Sequence, residues 1–315
     1  MAKQEQPFYY GGQAVIEGVM MRGRHTMATS VRKQDGSIVM REVPIGSITR
    51  RYPILKLPFI RGTVALIEAM VLGMKSLTYS AQQFADEEEE ELGTKELVFS
   101  ALFAITLTIL LFIVLPAFLI TTFVQPHFEN PLVINFAEGI IKMTFFLAYI
   151  WGISFMKDIR RVFEYHGAEH KAINCYEAGD ELTVENVQRH TRFHKRCGTS
   201  FIVFVLLIGI VVFAFFGKPP FPLRALYQIA ILPIVAGISY EIIRMAGREG
   251  APRIFDWLSR PGIWTQMITT KEPDDSQVEV AIHSLNAVIA RDREAEAAIA
   301  RLDDQRRKGV ADFAG

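Results

Sequence analysis

Residues 97–124 read LVFSALFAITLTILLFIVLPAFLITTFV, without one charged side chain. That run exceeds the roughly 20 residues that carry a helix across the hydrocarbon core of a bilayer. A second uncharged run, 199–216, stands near the lower length limit. Two further segments are mixed. Residues 132–156 carry Glu138 and Lys142, four apart and so facing each other as an ion pair on a helix. Residues 225–243 hold Gln228 and, near their end, Glu241. The pattern predicts an α-helical membrane protein with about four transmembrane helices. Buried helices of a large soluble protein are the alternative, but uncharged runs of this length are rare in soluble cores.

Composition agrees. Half of the 315 residues are apolar, and the mean hydropathy of +0.21 is above what a soluble core needs. The 34 basic and 34 acidic side chains cancel, so a nucleic-acid partner has no electrostatic footprint. Cys175 and Cys197 are the only cysteines, which excludes a disulfide-stapled secreted scaffold and fits a reducing compartment. The opening MAKQEQPFYY lacks a basic stretch followed by an apolar core, so no cleavable signal peptide is expected.

Four crossings place both termini and the long loop 157–198 on one side. That loop carries Lys157, Arg160, Arg161, Lys171, Arg189, Arg192, Lys195 and Arg196, and the N-terminal segment is also basic, with Arg50, Arg51, Lys56 and Arg61. The opposite connections hold no Lys or Arg (125–131) and two (217–224). The positive-inside rule then predicts cytoplasmic termini and a cytoplasmic loop. The acidic run Asp86 to Glu91 contributes little to topology and reads as a solvated lead-in.

Around the membrane region 97–243, three further pieces are expected. Residues 1–57 form a small β unit, with runs 28–33 and 37–43 joined around Asp35-Gly36. Residues 58–80 repeat Arg61, Glu68 and Lys75 every seven positions, a single polar stripe that suits an interfacial amphipathic helix. Residues 244–315 contain Trp257 and Trp264, which suit the headgroup level. They then contain a Ser276/Glu279 capping box opening an amphipathic helix to about Leu302. The charged end of that helix, 291–308, reads as a solvated face or a partner-binding helix. No inverted repeat of the transporter kind is visible.

The cytoplasmic loop carries the chemistry. His166, Glu169 and His170 form H-x-x-E-H, the mirror of the zincin H-E-x-x-H. At about 100° per residue, His170 lies about 40° round a helix from His166, and Glu169 about 60° to the other side. Two neutral imidazoles on that face can hold Zn²⁺ or another divalent metal, with the carboxylate beside the water activated there. His190, His194 and Cys197 follow as a second cluster. Gly167 inside the motif weakens a helix by about 1 kcal/mol relative to alanine. The alternative is a pair of histidines satisfied by capping or by Glu164 and Glu177.

A catalytic zinc needs a third protein ligand and an open position, a structural zinc four ligands. His194, Cys197 and Glu241 are the candidates. Glu241 sits where the fourth helix returns to the cytoplasmic side, although an i, i+3 pair with Arg244 accounts for it equally. Cys175 reads as a buried small side chain, and His25, His127 and His283 as ordinary.

Four stretches carry a resemblance: GGQAVIEGVMMR at 11–22, HGAEHK at 166–171, RFHKRCGTS at 192–200 and KEPDD at 271–275. Together they resemble the YqhQ-like family of bacterial multi-pass membrane proteins over 11–287. The resemblance implies a bacterial cytoplasmic membrane location and a predicted metal-dependent enzyme. It places Glu17, Arg22, His166, Glu169, His170, His194 and Cys197 in signature motifs. Glu17 and Arg22 have no evident role beyond pairing with each other in a tightly turned, glycine-rich segment.

Three functions compete. The first is a metal-dependent hydrolase at the cytoplasmic face, peptidase-like by analogy with zincins, with Glu169 as general base and a membrane protein as substrate. The second is a membrane scaffold or assembly factor whose zinc staples the loop and whose terminal helix engages a membrane-protein partner. A transporter is weaker, because Glu138, Lys142 and Glu241 are few for an ion path.

Overall fold

The computed structural model describes residues 10–46, 52–57, 60–84, 94–246 and 252–312. The acidic run 86–91 and Arg50 and Arg51 lie outside them. Where a β unit with one hairpin is expected, four strands form an antiparallel meander: β1 (Gly11–Val15), β2 (Gly18–Arg22), β3 (Thr26–Arg32) and β4 (Ile38–Pro44). The β3–β4 turn is the expected one. Gly36 has φ +84°, and the Asp35 carboxylate accepts from the Ser37 amide at 2.9 Å.

The β1–β2 hairpin turns on Ile16-Glu17. Glu17 there is the one non-glycine residue among those described with positive φ, +48°, a conformation that costs about 1–2 kcal/mol outside glycine. Its carboxylate grips Arg161 with both oxygens and accepts from the Tyr165 hydroxyl at 3.2 Å. The expected pairing with Arg22 is thereby corrected: the hairpin tip is tied to the loop helix, not to its own sheet.

The helices are α1 (Ile60–Phe84), α2 (Thr94–Ile109), α3 (Leu115–Leu119), α4 (Pro131–Ile153), α5 (Lys157–Ala178), α6 (Val184–Arg189), α7 (Gly198–Phe213), α8 (Phe221–Ala246), α9 (Arg253–Thr269) and α10 (Asp275–Asp312). Two π-helical segments, Leu110–Val114 and Ile120–Val124, continue α2 and α3 into one rod. Among the described residues, five helices are long and apolar enough to cross a membrane, which is compatible with a multi-pass membrane protein. Four are the expected ones, and the fifth is α1.

The packing of α1 bears on how it is counted. Its small residues face inward: Ser76 meets Thr29 at 3.2 Å, and Ser80 accepts from the Ile16 amide. Its large ones, Ile67, Met70, Val71 and Met74, are exposed. Near its start, Arg61 pairs with Glu241 of α8, while Phe84 at its end accepts from Gln34 in the β3–β4 turn. The sheet also packs on α5. If the rod 98–124 and α4 both cross a bilayer, the sheet and α5 share a side only when α1 does not cross.

β2 and β3 are thus covered on both faces, by α1 on one and by α5 with α10 on the other, and β2 is buried through Gly18 to Met21. Val19, Met21, Ala28, Tyr165, Ala168, Ile173, Ala281 and Leu285 form the core of this head. The α10 helix starts two residues before the expected box. Asp274 accepts from the Gln277 amide at 2.9 Å while Gln277 accepts from the Asp274 amide at 3.0 Å, so the capping pair is Asp274/Gln277. Glu279 instead holds Arg32. α10 runs past Leu302 to Asp312. α9 presents Ile254, Trp257, Trp264 and Met267 outward, an exposed apolar face suited to a headgroup-level helix.

Candidate metal centre

α5 follows α4 after three residues, and its N-terminal part is tied to the hairpin tip through Arg161. His166 and His170, one turn apart on it, stack edge-on with ring centroids 4.4 Å apart. Each imidazole is held from behind by a backbone carbonyl. His166 Nδ1 donates to Thr269 O at 2.9 Å, and His170 Nδ1 to Arg192 O at 2.7 Å. A carbonyl only accepts, so both rings carry the proton on Nδ1 and turn the Nε2 lone pair forward. His166 Nε2 lies 3.2 Å from Cys197 Sγ. The ligand atoms of His166, His170 and Cys197 all lie within 4.8 Å of one another.

Cys197 is placed by the start of an apolar helix. It is the N-cap of α7, its sulfur accepting from the Thr199 amide at 3.4 Å and touching the Thr199 hydroxyl at 3.1 Å. Burial opposes ionisation of the thiol, but His170 and Thr199 outweigh it and bring Cys197 below its ordinary value. The N-terminal end of α7 favours the same thiolate. Burial, then the neighbouring His166, lowers His170 below its ordinary value, while Cys197 works against them. A thiolate and two neutral imidazoles, each oriented by a carbonyl, are the donors zinc takes, with the outer partners that ligating histidines keep. The residues therefore fit the metal.

Glu169 lies beside the trio on the side of α5 that faces β1, near enough for His166 and Cys197 to act on its carboxyl. It is buried, and a Cβ on Gly12 would lie 3.1 Å from its carboxyl carbon, so only glycine leaves it room. Burial pushes its carboxyl up to about 7. His166 lowers it, Cys197 raises it, and the Gly12 amide donates a bond that lowers it.

The other expected ligands are placed elsewhere. His194 is buried, its backbone bracketed by the Gln266 amide, but its Nε2 faces Glu177 at 3.6 Å, beside Arg196. Its ring centroid is 5.6 Å from that of His170. The Glu177 alternative thus describes His194 and not the H-x-x-E-H pair; Glu164 goes to Gln277 and Arg160. Glu241 lies away from the histidine pair: its carboxylate is bidentate on Arg61 at 2.6 and 2.5 Å, because α1 packs along the end of α8. His190 pairs with Asp180 at 2.8 Å, near Cys175 and away from the trio. Thr269, Arg192 and Gln266 carry no sequence signal, since they act through backbone atoms or on backbone atoms.

Gly167 acquires a reason. Residues 270–273 cross α5 there, with the Lys271 amide donating to Phe163 O at 2.9 Å, and a Cβ on Gly167 would run into the Lys271 carbonyl. Gly167→Ala gains about 1 kcal/mol of helix propensity. It also overpacks a site whose relief typically costs about 1–3 kcal/mol, and displaces the segment that holds His166. A lowered melting temperature and weaker metal retention are expected. A stabilised variant would show that residues 270–273 yield freely.

Residues 57–291 match the family described as "Protein of unknown function (DUF1385)", and the chain belongs to it. The chain is also 38% identical over 302 residues to the uncharacterized protein YqhQ of Bacillus subtilis (strain 168), covering 92% of this chain and 95% of that protein. No solved structure matches.

Proposed function

We propose that this DUF1385 chain is a multi-pass protein of the bacterial cytoplasmic membrane and a zinc-dependent hydrolase at its cytoplasmic face. The basic loop 157–198, set against connections with no or two Lys and Arg, supports that orientation. The observation that carries the chemistry is the convergence of three donors, His166, His170 and Cys197, with Glu169 buried on the same helix. Three protein ligands leave a position for a reacting group, where a structural site has four.

Bound zinc supplies Lewis acidity to the carbonyl and to the attacking water. Glu169, with an affinity for protons near neutrality, takes a proton from that water as the new C–O bond forms. It hands the proton to the leaving nitrogen as the C–N bond of a membrane-proximal amide breaks, giving a carboxylate and an amine. The amide is the zincin analogy carried over.

Cobalt substitution tests the open position. Acetohydroxamate should shift the visible spectrum of the cobalt protein, and His194→Ala should leave that spectrum unchanged. A spectrum blind to hydroxamate but altered by His194→Ala would favour the scaffold reading. That reading has one observation behind it, the buried His194 ring beside His170. Glu169→Gln should keep the metal while a set of cleaved N-termini disappears from the membrane proteome.

A further inference from the structure

A polar cluster sits inside the apolar helices, on the side of the bundle that ends at 217–224. The expected pair forms, Lys142 Nζ to Glu138 at 3.1 Å, but it is not alone. Arg224 of α8 binds the same carboxylate at 2.6 Å and the Asn135 side chain, and Gln228 reaches both Glu138 and Lys142. One carboxylate therefore serves two cations. Arg224 is 3% and Lys142 12% exposed, and Arg224 Nη1 is buried without a hydrogen-bond partner among the described residues. A surplus positive charge in an apolar interior is costly unless an anion meets it.

Lys142 and Glu138 open onto a cavity of about 560 Å³, a volume typical of small-molecule sites. The rest of its wall is almost wholly apolar, with Phe112, Leu206, Ile210 and Leu232 among its residues. Phe112 belongs to the π-helical segment Leu110–Val114, and such segments gather at functional sites.

We infer that this cavity binds a long-chain carboxylate, its headgroup beside Lys142 and its single chain along the apolar wall. The one surplus charge calls for a monoanion, and the polar cluster with its apolar extension calls for an amphiphile. The site is separate from the metal centre and does not depend on it.

Native mass spectrometry on the full chain in nonionic detergent tests this with oleate, oleyl alcohol, oleyl phosphate and butyrate. One oleate per chain is expected, held at least tenfold more tightly than oleyl alcohol or butyrate. Lys142→Met should lower oleate affinity at least tenfold and leave oleyl alcohol unchanged; Glu138 keeps Arg224, so the bundle stays paired. Gly209→Leu fills the cavity, where a Cβ meets Phe213 at an ordinary 3.7 Å, and should weaken both ligands. Absence of a one-to-one oleate complex, equal binding of oleyl alcohol, or oleate binding unmoved by Lys142→Met would overturn the site. Tighter binding of oleyl phosphate would overturn the carboxylate assignment.

Discussion

Zinc measured on the detergent-purified protein is expected near one per chain, and near zero in the His166→Ala/His170→Ala double variant. Both imidazoles are pinned through Nδ1 to Thr269 and Arg192 carbonyls, so their Nε2 atoms stand ready beside Cys197 without reorganisation. Removing both leaves a lone thiolate, which cannot hold the ion. Cys197→Ser should retain a fraction of the metal, because two ring donors persist, while His194→Ala should retain it in full. A ligand present at about a thousand times its dissociation constant adds about 4 kcal/mol to stability. A chelator should therefore lower the melting temperature of the wild type and leave that of the double variant in place. Metal-free wild-type protein after zinc loading would end the hydrolase and zinc-staple readings together.

Glu138→Gln is expected to give the largest loss of stability in the apolar helices. It removes the single carboxylate that faces Arg224 and Lys142 and leaves both cations buried. Breaking a buried pair from one side costs about 3–5 kcal/mol, most of it the stranded charge. The Glu138→Gln/Arg224→Gln double variant strands only Lys142, so it should be more stable than the single one. That reversal is the signature of direct coupling. Unfolding in mixed detergent micelles, followed by circular dichroism, reads both. A loss below about 1 kcal/mol for Glu138→Gln would place the cluster in contact with water.

The N-terminal strands show where reading stops. The Asp35-Gly36 turn announces itself because its residues prefer that backbone, and the structure has it. The first hairpin has no such signal. GGQAV and GVMMR do not alternate, since β2 is covered on both faces, and Glu17 occupies a position that ordinarily asks for glycine or asparagine. What holds it is Arg161, 144 residues away. The α10 cap is a smaller case of the same kind: Ser276/Glu279 and Asp274/Gln277 are both acceptable boxes, and Arg32 of the sheet claims Glu279.

The apolar helices, the helical face that carries His166, Glu169 and His170, and the pairing of Glu138 with Lys142 all follow from local spacing. Helical periodicity and the length of an uncharged run are properties of neighbours in the chain, and no distant residue is needed to read them. The third donor is different. Cys197, His194 and Glu241 are chemically equivalent candidates on the page of letters. Which of them faces the histidines depends on how α7, α8 and α1 dock. Cys197 caps the helix that packs against α4 and α9, His194 is turned to Glu177, and Glu241 is taken by Arg61. Selection among equal ligands is made by long-range packing, because only packing sets the angle at which each side chain leaves its backbone.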